Sequence, residues 1–557
     1  MSDEAADLRQ RIERRSRTRA GLGYRENGFW RGRTIAESFE STCRTRPGQL
    51  ALVDGPTRLD FADLREAVLR CAGGLQEIGV GPGTAVAYQL PNWWEAAVTF
   101  LASVRLGAFA VPVVPFLSSR EVGFILAETA PRVFVSPERL GRSDFPAILD
   151  RAISGGAPAP AARVVVRPER SAPKGSIDFA RLLSDRPGRS DTPTIDPDGL
   201  ALVVYTSGST AAPKGAMHSH QTLDAELQSL RSPHELGPGD RVLMPSPLTH
   251  ISGVIHGILA PALLGTTAVL MDRWVPTAAL DPIAEHRVTY MVGAPTFLQD
   301  LLAQPHLDAC DLSSLRLFSC GGASVGEDLM RRGRAALPNL VTKRVYGASE
   351  FPTIATTSAA DPPERGWTTE GRPLPGVEIR ICDPEGNALP PGSGGEIRAR
   401  GPDCFLGYVD PALDTDVFDS EGFLCTGDLG VLDGAGYLTV TGRVKEIIVR
   451  KGEKISAREL EDLIALHPAV AEVAVVAVPD PETGERACAC IRGVGSVPPP
   501  DLPELLAFLR ERDLTSRKLP ERLVVFENFP RAPSGKIHKK RLQSEASERL
   551  ARQPLER

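Results

Sequence analysis

Short apolar segments alternate with longer helical patterns through the first three quarters of the chain. This alternation restricts the fold more than any other feature. AVAYQL (85–90) leads into WWEAAVTFLASVRLG (93–107) and then AFAVPVV. RVFVS (132–136), ARVVV (162–166), ALVVYTS (201–207), AVLM (268–271) and VTYMVG (288–293) continue the series. A strand that returns after a helix reads as a βαβ unit, so the expected core is a largely parallel sheet. From about residue 371 the rhythm changes. GVEIRICDPEGNALPPGSGGEIRARG carries DPEGN and PGSGG turns between extended runs, which predicts a small antiparallel unit. Near residue 444 it changes again, to a helix (ARELEDLIALHPA), a strand (EVAVVAV), a second helix (LPELLAFLRERD) and a strand (RLVVFE). The expected fold is α/β. A large N-terminal domain of parallel-rich βαβ sheets plus a small β unit (1–444) precedes a smaller, mobile α+β domain (445–557). GRVKEIIVRKGEK (442–454) reads as the junction rather than as core, and the proline-rich stretch 167–199 as a lesser linker.

At 557 residues the chain exceeds one ordinary domain, and an apolar fraction of 42% against 24% charged residues provides a sizeable core. A formal net charge of −6 gives no reason to expect nucleic acid or an anionic membrane as partner. Nine scattered cysteines include no CxxC pair, which fits a reducing cytoplasm better than a disulfide framework. Cys488 and Cys490 stand two apart in an alternating segment, so both are expected on one face of a strand. The arginine-rich start, MSDEAADLRQRIERRSRTRAG, carries acids and no apolar run, and reads as a frayed arm rather than a secretory signal. ISGVIHGILAPALLGTTAVLM (251–271) is long enough to span a bilayer. Pro261, Gly265 and two threonines divide it into a helical and a strand-like piece, so no integral membrane segment is expected.

The strongest chemical signal is YTSGSTAAPKG (205–215), where an apolar strand runs into a loop of small residues. Small residues let backbone N–H groups approach phosphate oxygens closely. Thr206, Ser207, Ser209 and Thr210 add hydroxyl donors around Gly208, and Lys214 adds a mobile cation. GxxxxGK[ST] cannot be laid over it, so it is not a Walker A loop. The competing reading is an exposed Ser/Gly turn.

This loop resembles the signature of adenylate-forming enzymes, which include acyl-CoA synthetases, aryl-acid adenylating enzymes, peptide-synthetase adenylation domains and luciferases. Further segments recur in that family's order: PSPLTHISG (245–253), SCGGAS (319–324), YGASE (346–350), LCTGDLG (424–430), GRVKEIIVRKGEKIS (442–456) and PSGKI (533–537). The resemblance implies a carboxylic acid activated by ATP as acyl-adenylate, then passed to a thiol. Ala211 stands where the family usually has glycine, and Ser349 where it more often has threonine.

Attack of a carboxylate on the α-phosphorus needs cations and oriented donors more than proton chemistry, so His250 is not read as a triad member. The resemblance assigns Glu350 to Mg²⁺. It places Tyr346, Gly347 and Ser349 with Gly321, Gly322 and Ala323 at the nucleotide, and Asp428 and Arg443 at its ribose. Lys536 is implied to compensate charge between carboxylate and α-phosphate, beside Lys214; it could instead be one of several tail lysines, with Lys539 and Lys540 nearby. A hinge is implied at Lys445. Rotation there would withdraw Lys536 and present Gly452, leaving room for a pantetheine arm.

His250, Ile251, Ser252 and Gly253, with GAPTFL (293–298), are expected to line or support the acyl pocket, although a structural histidine would read the same at 250. YRENGFWRGRTIAESF (24–39) and the 251–302 region resemble short- to medium-chain and cyclohexanecarboxylate-CoA ligases, which implies an aliphatic or alicyclic acid. Coenzyme A is the expected acceptor, because no attached carrier domain follows; a separate carrier protein is the second choice. An aryl-acid adenylating enzyme and a catalytically silent nucleotide-binding scaffold are the competing readings of the whole.

Overall fold

The computed structural model describes residues 22–552, except 185–192, 207–212, 324, 416, 451–452, 481–482, 496, 513 and 532–536. Two large sheets organise the first part. The nine-stranded sheet runs, edge to edge, 372–373, 355–356, 341–346, 317–321, 290–293, 241–244, 267–270, 50–54 and 57–60. The six strands from 341–346 to 50–54 are mutually parallel. The seven-stranded sheet runs 214–219, 200–206, 109–112, 85–88, 133–137, 162–166 and 177–178, and only its first strand is antiparallel to its neighbour.

Buried faces of both sheets meet over a shared layer of helices, Ile35–Thr45, Phe61–Glu77, Trp94–Arg105 and His220–Arg231, in one continuous core. Two further cores cover the outer faces. Leu280, Leu298 and Met330 pack on the nine-stranded sheet, and Val122, Ile125 and Leu149 on the other. Local sequence starts these helices cleanly. Thr34 with Glu37, Asp60 with Asp63, and Ser118 with Glu121 form reciprocal capping boxes that satisfy the first free N–H groups.

The stretch 251–271 divides as the sequence indicates, into a helical piece and the strand Thr267–Leu270. The helical piece is irregular: a short turn Ile251–Gly253, a π turn Val254–Leu259, then Ala260–Leu264 ending at Gly265 in the left-handed region, φ +74°. No described helix is long and apolar enough to cross a membrane. A four-stranded antiparallel sheet follows, 378–382, 394–400, 424–432 and 438–443.

The last part has its own sheet, in which 447–450 pairs 453–456, 470–480 pairs 484–493, and 522–525 joins 484–493 in parallel. Here the junction reading needs correction. Strands 447–450 and 453–456 pair antiparallel, and their Ile448 and Ile455 sink into the C-terminal core beside Leu460 and Leu505. Charges flanking two isoleucines masked a strand pair. Cys488 and Cys490 do share one buried face, against Phe526 and Leu542. Within 167–199, Phe179–Ser184 is a short helix, and the arm 1–21 lies outside the described residues.

Under the 346–353 turn lies a buried acidic pair. Glu226, on the helix His220–Arg231, accepts a hydrogen bond from the Thr353 hydroxyl at 2.7 Å and shares another with Asp403. Both carboxyls are fully buried. Burial, then the charge of Asp403, pushes the Glu226 pKa well above the usual carboxylate range, so folding favours its protonated form. A carboxyl whose pKa rises on folding contributes stability below its unfolded value and loses it as pH climbs toward the folded one. Glu226→Gln mimics the protonated acid and does not titrate. Thermal melts from acid to alkaline pH should show its stability gaining on the natural protein as pH rises, by at most about 1.4 kcal/mol per pH unit. Parallel pH profiles would refute the shared proton.

Candidate active site

Five of the sequence-predicted segments of the large part leave the carboxyl end of a parallel strand, whereas Asp428 and Arg443 lie on paired antiparallel strands. Tyr346 ends strand 341–346, Gly321 ends 317–321, Gly293 ends 290–293, Thr206 ends 200–206, and residues 245–253 follow strand 241–244. The crevice at that edge is where open parallel sheets bind ligands. Gly321 pairs with Val345 so closely that a Cβ there would overlap the Val345 backbone and side chain. Gly322 is left-handed, φ +77°, which lets the chain turn sharply; it and Ala323 are exposed.

Thr206 and Lys214 face each other as the last described pair of a hairpin, so the loop 207–212 is closed at its base. Ser207, Gly208, Ser209 and Thr210 lie outside the described residues. Lys214 Nζ stands 5.2 Å from the centre of the Tyr408 ring, and the Tyr408 hydroxyl donates to Glu350 Oε1 at 2.6 Å. A cation, an aromatic face and a carboxylate therefore stand in a row. Tyr408 arrives through backbone pairing: Leu406 N–H donates to Met217, Met217 N–H to Gly407 and Val409 N–H to Gly215. Glu350 is further held by its own carbonyl, which accepts from Phe405 N–H at 2.7 Å. The neighbouring Ser349 carbonyl accepts from His218 Nε2 at 2.7 Å, so that ring carries its proton on Nε2. Gly347 permits the turn, since a Cβ would overlap the Pro352 carbonyl.

Asp428 receives two donors at once. The Tyr346 hydroxyl reaches Oδ2 at 2.8 Å, and Arg443 Nε reaches Oδ1 at 2.8 Å across the strand pair 424–432 and 438–443. Burial and the Asp428 charge hold the Tyr346 phenol well above its usual pKa, so it remains a donor. The Arg443 side chain is 62% exposed against 11% for Asp428, leaving the guanidinium open on its outer side. A carboxylate so oriented suits vicinal hydroxyls.

His250 precedes the turn Ile251–Gly253. Its Nδ1 lies 3.0 Å from the Ser252 hydroxyl and accepts the Ser252 N–H, so it serves as a helix cap. Ile251 is buried, and Gly253 approaches Pro247 too closely for any Cβ. Gly293 lies against both Phe297 and Ser246, so 293–298 and 245–253 adjoin. Lys445 is exposed in the turn Val444–Glu446. Lys536 and Gly452 lie outside the described residues. Lys539, the rival to Lys536, is paired with Glu446 at 2.6 Å and Glu461 at 2.9 Å. Sequence reasoning missed Tyr408 and His218. Their only signal was position, a tyrosine after Gly407 and a histidine soon after Lys214.

Glu350 and its hydroxyl partner form an oxygen set that fits a hard cation, although the described residues hold no group of three metal-binding side chains. With Lys214 beside it, the described site groups a cation, an aromatic face and a carboxylate at the edge of the parallel sheet. The chain belongs to the AMP-binding enzyme family: residues 39–409 match the AMP-binding enzyme model and 459–536 its C-terminal domain. It is an adenylate-forming acid–thiol ligase. A medium-chain fatty-acid–CoA ligase of Escherichia coli is 34% identical over 96% of this chain and 94% of its own. A salicyl-AMP ligase/salicyl-S-ArCP synthetase of Mycobacterium tuberculosis is 32% identical over 93% and 91%. ATP-bound MatB from Rhodopseudomonas palustris is 27% identical, with a TM-score of 0.82 over 92% of this chain and 99% of its own. The apo form of that protein, with the same coverage, gives 0.72.

Hydrogen bonds to a metal-binding carboxylate commonly change metal affinity or activity about 10–100-fold. Tyr408→Phe should therefore raise the Mg²⁺ concentration needed for half-maximal adenylation by roughly that range. A Mg²⁺ titration of pyrophosphate exchange on folded protein measures it, and an unchanged midpoint would separate Tyr408 from the metal site.

Proposed function

We propose that this chain joins a medium-chain aliphatic or alicyclic carboxylic acid to coenzyme A, through an acyl-adenylate made from ATP with Mg²⁺. The observation that carries the reading is the Lys214–Tyr408–Glu350 row beside the Tyr346–Asp428–Arg443 cluster. One presents charge for a triphosphate and its cation. The other presents a ribose acceptor. Thr206 and the loop 207–210, with Gly321, Gly322, Ala323, Gly347 and Ser349, complete the nucleotide cradle. The acid occupies the region of His250, Ile251 and Gly253. Buried Ile251, Val254, Ile255 and Ile258 supply apolar surface in that stretch, and the 34% identity to a medium-chain fatty-acid–CoA ligase supports the same class. Discrimination by one methylene in such a pocket is worth only about 1–3 kcal/mol, so a range of chain lengths should react.

The acid's carboxylate attacks the α-phosphorus of ATP and pyrophosphate leaves. Lys214 offsets charge on the phosphates, and Lys536 offsets the repulsion between carboxylate and α-phosphate. Mg²⁺ held by Glu350 would neutralise charge on the departing oxygens. Residues 1–444 form the adenylation domain and 445–557 the mobile domain, turning at Lys445. Gly452 then admits the pantetheine arm, whose thiol displaces AMP. The salicyl-AMP ligase relative supports a second reading, an aryl acid loaded onto a carrier protein.

A panel of acids, assayed for pyrophosphate exchange and by mass for acyl-AMP and acyl-CoA, decides between them. Aliphatic acids should exchange and yield acyl-CoA only when CoA is present. Preference for an aryl acid and a phosphopantetheinylated carrier would favour the second reading; exchange with no acid would sink both. Lys536→Ala should lower adenylation on the order of 10²–10³-fold while sparing thioester formation from supplied acyl-AMP. Gly452→Trp should do the converse, preserving exchange and greatly slowing thioester formation even at high CoA. Wild-type thioester rates in folded Gly452→Trp would close that route.

A further inference from the structure

Helix Ala457–Ile464 begins with an anomaly. Ser456 caps it, accepting from Glu459 N–H, and Arg458 occupies its first turn. The N-terminal end of a helix carries partial positive charge, so a cation there is locally unfavourable. Its i,i+4 neighbour Asp462 stands 3.7 Å away, in the less favourable cation-first order. The local sequence therefore does not explain the arginine.

A partner across the domain junction does. Arg458 Nη2 lies 3.1 Å from Glu370 Oε1, and the two side chains are 17% and 6% exposed. Glu370 belongs to the large part and is held there on every side. Its backbone N–H donates to Leu438, its Oε2 accepts from Val440 N–H at 2.8 Å, and Arg344 stands 3.6 Å from Oε1. Beside this pair, the Ser456 hydroxyl donates to the Thr441 carbonyl at 2.7 Å. Lys445, the hinge proposed above, lies between the partners in sequence. Turning there carries Arg458 away, while Glu370 keeps Arg344 and Val440. The pair can thus break without leaving a buried carboxylate bare, as a reversible contact requires.

We propose that Arg458 and Glu370 are positioning residues, an ion pair that holds the C-terminal domain in the arrangement for acid activation and opens before thioester formation. This rests on the two-step ligase reading. The direction comes from shape: the chain matches an ATP-bound relative with a TM-score of 0.82 and the apo form of that relative with 0.72. ATP is consumed in the first step. An ion pair found in the ATP-loaded arrangement favours that step over the second, because it stabilises only one of two states.

The test uses the full chain, with both half-reactions measured separately. Arg458→Met keeps the aliphatic stem and removes the charge. It should lower acid-dependent pyrophosphate exchange about tenfold, equivalent to ~1.4 kcal/mol, while thioester formation from supplied acyl-AMP holds or quickens. Arg458→Lys should recover most of the lost exchange. Glu370→Gln, which keeps an acceptor for Val440 N–H, should shift the ratio of half-reactions the same way. The double variant should be no worse than the more impaired single one. Should Arg458→Met lose its thermal transition, Glu370→Gln and Arg458→Lys carry the comparison. Equal changes in both half-reactions, or none, would overturn the ion pair's role while leaving the ligase reading intact. Absence of both half-reactions in the natural protein would instead remove the reading on which it rests.

Discussion

The pairing of residues 406–409 with the strand Lys214–Ser219 is the contact on which the site depends. It is made of backbone hydrogen bonds, from Leu406, Met217 and Val409, and so does not rely on any one side chain. Through it Lys214, the Tyr408 ring and the Glu350 carboxylate are set in order, although they come from three distant stretches of sequence. Phe405, one residue before this pairing, also returns a hydrogen bond to the Glu350 carbonyl. A site that must bring two anions together has little tolerance for drift of its cations. Sheet pairing supplies that rigidity with the cheapest available groups.

Much of the architecture was legible in the sequence because it follows from periodicity. Strand and helix alternate, and turns are marked by Gly, Pro and Asp. The pairing of strands 447–450 and 453–456 was not legible, because charged residues dominate the composition around the buried Ile448 and Ile455. The π turn Val254–Leu259 was equally silent, since an apolar run reads the same for any helical pitch.

Candidate site residues were singled out in motifs that resemble a family's, and the structure brings Lys214 and Glu350 to Tyr408 and Tyr346 to Asp428. Those that act by holding others were missed. His218 holds the turn bearing Glu350 through the Ser349 carbonyl, and Glu226 holds the same turn through Thr353. Neither role has a spacing signature, because each partner lies more than a hundred residues away in sequence. Only the fold makes them neighbours.

The π turn also bears on how such a chain diversifies. A π turn is a helix that has accepted one extra residue, and each residue of an ordinary helix advances the next by about 100°. Loss of a single residue from Val254–Leu259 would restore regular pitch and, because the wide turn is what takes up the extra residue, leave Ile251–Gly253 and Ala260–Leu264 in nearly the same relative orientation. The strands on either side, 241–244 and 267–270, would keep their pairing with each other. One codon gained or lost could therefore be taken up locally, changing which side chains fill 254–259 while the strands on either side stay as they are.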